Sequence, residues 1–374
     1  MSRSVTDSRL CFLGDYYDEL ASLTREFQVL FYYGDRTVEM NDTKTRRSFL
    51  KRCQCPNLSQ EQFFVGARVV IFGRVIKLKA YGDEVTRQLC EKMNGVTIAI
   101  ISEKAFGKIG DVLSTINIEC GFSVRDMHTL LCTKQIVSHY QIPAAFSNQR
   151  VLVLSLVRGD AIEKGQAMAK RVGTDVCWAA ASHDEVDRTE DLVREALHNP
   201  QALLGGEFVG ISSVVVIKPH IIAEGTGGEV LQTLLNSGLA IAALSQFTLS
   251  TNHADKFLNA YKGILADYRG VVDHLASGPV WVVQLVDKGV AQATSAGAAA
   301  LLRGVAKSAS TVNVPDHVRE VVGPFDPVIA KTLRPKTIRA RFGKDRVHNA
   351  VHCSDLIEDG EEDAVYFWTE LHAL

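Results

Sequence analysis

Two stretches of this chain follow one pattern. Residues 97–124 read TIAIISEKAFGKIGDVLSTINIECGFSV, and residues 214–241 read VVVIKPHIIAEGTGGEVLQTLLNSGLAI. Each opens on an apolar strand, passes a glycine-containing loop into an amphipathic helix, and continues into a second strand-like segment. Further on, Ser147–Val157 parallels Ser277–Leu285. A period of about 120–130 residues is too long for a solenoid, so it marks a duplicated domain. Each copy reads β-α-β-α-β. The third strand, with Val280, Trp281, Val282 and Val283, is apolar on both faces and is expected at the centre of its sheet. An open α/β sandwich with helices on one face, the ferredoxin-like arrangement, fits this order. The link between the copies, around Asn199, Pro200 and Gly205-Gly206, carries turn chemistry.

The first 90 residues are of another kind. A β-branched and aromatic run, Phe27–Tyr33, meets a Gly34-Asp35-Arg36 turn and an alternating return at Thr37–Met40, which predicts a hairpin. Residues 46–52 and 67–73 read as further strands. The basic cluster at 46–52 alternates with apolar residues and reads as a solvated strand face ahead of a binding patch. The fold class is therefore α+β: a β-rich unit over 1–90, then α/β copies over 91–204 and 210–374.

Composition removes several function classes. Lys and Arg total 41 against 43 Asp and Glu in 374 residues, a net charge of −2, so net charge argues for neither DNA nor membrane binding. No apolar run reaches the roughly 18 residues of a membrane span, and the start has no apolar signal segment. Eight scattered cysteines with no C-x-x-C fit a reducing, cytoplasmic setting. Cys53-Gln54-Cys55 has no second ligand pair at zinc spacing. No G-x-x-x-x-G-K-[ST] loop is present, so phosphate binding must come from side chains.

The C-terminal copy carries a constellation able to supply it: Lys218-Pro219 after the first strand, Thr337-Ile338-Arg339 with Phe342, and Asn349-Ala350-Val351-His352-Cys353-Ser354-Asp355. These residues resemble the K-P-D, T-I-R-x-x-F and N-x-x-H-G-S-D motifs of the nucleoside diphosphate kinase family, in the same order. The resemblance covers residues 210–374 and, more weakly, 97–204. The run FYYGDRTVEMNDTKTRRSFLKR resembles a DM-ten domain, a β-rich, PH-like module that precedes two kinase copies in one group of that family.

The resemblance implies ping-pong transfer of a γ-phosphate from nucleoside triphosphate to nucleoside diphosphate through a phosphohistidine. His352 would be the nucleophile, with Ser354 and Asp363 orienting it and Glu362 as a neighbour that could also serve. Lys218, Arg319 (in R-x-x-x-G with Gly323) and Arg339 would hold the phosphates, Mg2+ would bridge them, Asn349 would bond the nucleotide, and Tyr261 would stand beside the nucleophile. A neutral imidazole suits this chemistry, since its ordinary pKa is about 6.5.

Departures stand beside the matches. His220 replaces the family's aspartate, and Cys353 its glycine. The R-P-F-F segment, with its base-stacking phenylalanine, gives way to Tyr268-Arg269-Gly270-Val271, where Arg269 is a candidate substitute. Gly323 is followed by Pro324-Phe325. An insertion between Asp287 and Asp316 holds a small-residue run, Ala291–Ala306, expected as a surface helix. His220, His348 and His372 have no ligand-like spacing and read as structural or solvent-facing. In the first copy Ser102 stands at the lysine position, Ala181 at the nucleophile position, and His183 is two residues out of register, so no transfer is expected there. The resembled group implies a place in the cytoskeleton, in the axoneme of cilia and flagella inside doublet microtubules. Tubulin, other doublet proteins and γ-tubulin complexes are the implied partners, and nucleotides the implied substrates. Two functions follow: an active kinase in the C-terminal copy, or an inactive structural protein of the microtubule lumen.

Overall fold

The computed structural model describes residues 8–18, 21–65, 67–93, 95–198, 211–265, 267–288 and 313–371. The link at 199–210, His372 and nearly all of the Asp287–Asp316 insertion, with the Ala291–Ala306 run, lie outside them. No helix among the described residues is long and apolar enough to cross a membrane.

The N-terminal part is a six-stranded antiparallel sheet: β1 (Arg9–Asp18), β2 (Leu23–Tyr32), β3 (Thr37–Asp42), β4 (Ser48–Gln54), β5 (Arg68–Ile71) and β6 (Arg74–Tyr81), ordered β4-β3-β2-β1-β6-β5. The expected hairpin is present, with Phe31 opposite Val38. β1 and β6 were not legible in the sequence, and the strand expected over 67–73 ends at Ile71. Phe72 and Gly73 both take positive φ, 48° and 75°, and turn the chain back as a two-residue hairpin loop. Phe12, Phe27, Phe31 and Phe63 fill the core, with Phe31 stacked on Phe63 at 4.3 Å. The helix Glu84–Met93 runs across residue 90.

The remainder forms one eight-stranded sheet. Its strands are β7 (Val96–Ser102), β8 (Ser123–Cys132), β9 (Gln149–Val157), β10 (Cys177–Ala179), β11 (Ser212–Ile217), β12 (Leu239–Thr248), β13 (Pro279–Asp287) and β14 (Val351–Cys353). The order is β10-β7-β9-β8-β12-β13-β11-β14. Each half thus has the ferredoxin-type order 4-1-3-2. The third strands, β9 and β13, sit inside their halves as their two-faced hydrophobicity requires.

The expectation of helices on one face is corrected by the packing. Alternate strand residues feed two cores. Ala99, Ile101, Val215 and Ile217 pack with Ile109, Leu113, Leu231 and Val318. Ile98, Ile100, Val214 and Val216 pack with Leu192, Val272, Phe367 and Trp368. Strands buried on both sides need cover on both sides, and helices supply it on each.

The halves join through their second strands. Ser245 pairs with His128, the Leu244 amide donates to Thr129 Oγ1 at 3.0 Å, and Gln246 Nε2 donates to the Arg125 carbonyl at 2.8 Å. The helices Ile109–Ser114 and Gly227–Leu235 cross at Gly110 and Gly228, where a Cβ on either would lie 2.4 Å from the other's carbonyl oxygen. The N-terminal sheet rests on this seam: Arg125 Nη2 donates to the Val65 carbonyl at 3.3 Å, with its guanidinium 3.9 Å from the Phe64 ring.

Candidate active site

The C-terminal motifs meet at the outer end of the sheet. β14 pairs with β11, placing His352 opposite Val216. Lys218 follows β11, and Pro219 starts a helix directly after it, as proline at a first helical position does. The Lys218 amide donates to the Ala350 carbonyl at 3.0 Å, and its fully buried Nζ donates to the Val347 carbonyl at 2.7 Å. Arg339, also buried, lies on the short helix Ile338–Phe342. It donates from Nη1 to the Gly323 carbonyl at 2.9 Å and from Nη2 to the Val351 carbonyl at 3.1 Å.

Both charges act on the imidazole. Burial, then Lys218, then Arg339 push the His352 pKa down to about 3, so the ring is neutral at physiological pH. Burial and the Arg339 charge push Lys218 down to about 7, against a pull from Asp345. An anion placed beside it would raise the pKa again and favour the charged form.

Other expected residues sit near but serve differently. Ser354 and Asp363 were expected to orient the histidine. The Ser354 hydroxyl instead donates to Asp363 Oδ2 at 2.7 Å and accepts from the Val214 amide at 3.0 Å. His352 makes no side-chain hydrogen bond among the described residues. Phe257 and Tyr261 flank it edge-on, with ring centroids 5.1 and 5.2 Å away. Burial pushes Asp363 up to about 7; the Ser354 hydrogen bond opposes this, and the nearby Asp359, Glu362 and Asp355 add to it. Asn349 is fully buried and donates to the Phe325 carbonyl at 3.0 Å, while its Oδ1 is buried without a partner. Arg319 is half exposed, with Nε 3.6 Å from Asp355 Oδ1, and the Tyr261 hydroxyl donates to Asp355 Oδ2 at 2.8 Å. Burial and Asp355 hold that phenol well above its ordinary pKa.

Arg269 pairs with Asp273 one turn along the exposed face of its own helix, at 3.2 Å, and does not stand in for the missing arginine. Asp355 and Phe257 were not singled out as site residues. The first stood within the quoted motif; the second carried no sequence signal. His220 and His348, read as structural or solvent-facing for want of ligand-like spacing, cluster with His274. His220 Nδ1 lies 2.8 Å from His274 Nε2, and His348 packs against both rings.

The first half needs one correction. Its ladder pairs Ile101 with Cys177 and Ile100 with Trp178, where the second pairs Ile217 with Val351 and Val216 with His352. The Ser102 amide donates to the Val176 carbonyl just as that of Lys218 donates to Ala350. Ser102 therefore does replace the lysine, but Trp178, not Ala181, occupies the histidine's place. The loop before β10 is shortened, and counting residues through a deletion slips the register. An indole has no lone pair free for phosphoryl transfer, so this half lacks the nucleophile.

One ferredoxin-type half thus carries a neutral imidazole on its edge strand, under the electrostatic influence of a buried lysine and a buried arginine. Residues 212–372 match the family described as Nucleoside diphosphate kinase. The chain is 31% identical to Nucleoside diphosphate kinase homolog 7 of Mus musculus over 398 residues, covering 96% of this chain and 93% of that one. The Rattus norvegicus protein of the same name matches to the same extent. A Nucleoside diphosphate kinase of a Nitratiruptor species is 31% identical over 42% of this chain and 96% of its own length. The chain belongs to the nucleoside diphosphate kinase family.

Proposed function

We propose that residues 210–374 transfer a γ-phosphate from a nucleoside triphosphate to a nucleoside diphosphate through His352. This refines an organisation of a DM-ten, PH-like domain at 1–90, a degenerate copy at 91–204 and a working copy at 210–374. The observation that carries it is the neutral His352 ring under the joint influence of Lys218 and Arg339. The ring's free nitrogen lone pair attacks the γ-phosphorus. A P–N bond forms, the bond to the bridging β–γ oxygen breaks, and the nucleoside diphosphate leaves. A second diphosphate then attacks the same phosphorus, and the electron pair returns to the ring. Positioning and charge stabilisation do the rest, with Lys218, Arg339 and Arg319 supplying cations. Among the described residues no cluster of three or more His, Cys, Asp or Glu could hold a metal ion. Mg2+ would enter with the nucleotide, bound to its phosphates. Incubation with γ-labelled ATP is expected to leave an acid-labile phosphate on His352 that disappears in His352→Ala. An unlabelled wild-type protein overturns the reading.

A second reading has its own observations: Trp178 at the first nucleophile position, Arg269 tied to Asp273, and Asn349 committed to Phe325. They support a protein retained for its shape; with that reading we propose the placement the sequence resemblance implies, in ciliary and flagellar doublets against tubulin, with γ-tubulin complexes as further partners. Fractionation tests this placement. Near-stoichiometric retention in salt-washed axonemes is expected, and a wholly soluble pool counts against it.

A further inference from the structure

Among the described residues no carboxylate hydrogen-bonds to His352. Its orientation falls to the two rings that flank it, both carried by the neighbouring helical segments Thr251–Phe257 and Asn259–Tyr261. Phe257 is held from behind by Tyr366, stacked at 5.7 Å, and by Phe367 at 4.9 Å. The other end of that helix is held by a distant part of the chain. The Thr251 amide donates to the Gly73 carbonyl at 3.1 Å, and Thr251 Oγ1 donates to the same oxygen at 3.2 Å. A first-turn amide has no partner within its own helix, so the N-terminal sheet supplies one. The fit is close: a Cβ on Gly73 would sit 2.0 Å from Thr251 Oγ1, and the φ of 75° there already favours glycine.

We propose that Thr251 and the Phe72–Gly73 turn are positioning elements for His352. Accepting both Thr251 donors fixes where the helix starts. A seven-residue helix is a rod about 10 Å long at 1.5 Å per residue, so the far end, with Phe257, moves with the near one. The N-terminal sheet thus sets the imidazole's line of attack without touching it. The kinetic consequence rests on the phosphotransfer reading; the mechanical coupling does not.

The test uses the full chain with Thr251→Pro. Proline is accepted in the first helical turn, and Ser250 before it is already extended (φ −74°, ψ 166°), as proline requires of its predecessor. This variant loses both donors, whereas Thr251→Ser keeps both. In Thr251→Pro, single-turnover labelling of His352 is expected to slow about tenfold at unchanged nucleotide affinity, since misaligned attack costs rate rather than binding. The amides of residues 254–258 should exchange faster with solvent, and Thr251→Ser should match wild type in both. A wild-type rate and exchange in Thr251→Pro overturns the proposal, as does an equal loss in Thr251→Ser or a loss confined to nucleotide affinity. If wild type takes no label, the phosphotransfer reading fails by itself. Amide exchange and the rate of His352 modification by diethyl pyrocarbonate then decide the coupling, unchanged values in Thr251→Pro overturning it. Should Thr251→Pro not fold, Thr251→Val removes the hydroxyl donor alone and is expected to give a smaller change in the same direction, no change again overturning the proposal.

Discussion

Asp363 shows how burial sets a residue's behaviour apart from its motif. Its pKa is pushed up to about 7, from an ordinary carboxylate value of about 3.9. A group whose pKa is raised by folding stabilises the fold fully at pH values below its unfolded pKa. That contribution fades as pH rises through the folded value. Three pH units correspond to roughly 4 kcal/mol, and relaxation and water entry would reduce that figure. The buried imidazole of the site runs the other way. His352, pushed down to about 3, makes stability rise with pH between about 3 and 6.5. Comparing Asp363→Asn with wild type isolates the carboxyl. The asparagine oxygen still accepts from Ser354 but cannot ionise. The variant is expected to be equal to or less stable than wild type at pH 5 and more stable at pH 8, with the crossover read from urea midpoints. Midpoint differences that do not change with pH would remove the buried-carboxyl account.

Among elements, the close crossing of the helices Ile109–Ser114 and Gly227–Leu235 makes a sharp case. Replacing glycine by alanine within a helix ordinarily gains up to about 1 kcal/mol. At Gly110 the added Cβ would meet the Gly228 carbonyl oxygen at 2.4 Å and the Gln232 amide nitrogen at 2.5 Å. Both are backbone atoms and cannot swing aside, so overpacking of about 1–3 kcal/mol decides the sign. Gly110→Ala is expected to lower the urea midpoint; a raised midpoint would mean that the helices part without cost. The glycines stood in the quoted repeats, but nothing local to them showed that they face each other. The same limit explains the rest of what the sequence withheld. Strands β7, β9, β11 and β13 were legible because two-faced burial leaves continuous apolar runs, and the motif around His352 was legible because its spacing is local. Cover on both sheet faces, the three-histidine cluster beside Lys218 and the turn of Asp363 toward Ser354 depend on which segments meet. Trp178 at the first nucleophile position was hidden because a deletion leaves no mark in the residues that remain, while the β-ladder counts from the sheet.

At the scale of the molecule, the seam joins corresponding parts of the two halves. β8 and β12 are each the second strand of their half, and the crossing helices each follow a first strand. Such like-with-like pairing is what a two-fold dimer interface uses, here closed within one chain. The side of residues 211–374 that faces the first half is therefore nearly self-complementary: an open strand edge at β12, and a helix whose Gly228 admits a close neighbour. An isolated fragment would leave that edge unpaired and expose apolar residues now shared in a common core with Ile109 and Leu113, a state that sheet edges avoid. The expected outcome for residues 211–374 expressed alone is a dimer, with β12 against β12 and Gly228 against Gly228. Sedimentation at micromolar concentration measures it, and Gly228→Leu should abolish it, because a leucine cannot enter a crossing that a single Cβ already overfills. Adding residues 8–198 as a separate chain should convert the dimer to a one-to-one complex, since that half also offers Gln232 its partners, the Asp111 amide and the Gly107 carbonyl. A fragment that stays a folded monomer, indifferent to both changes, would show that the halves merely lie side by side and that the seam contributes nothing to holding the sheet together.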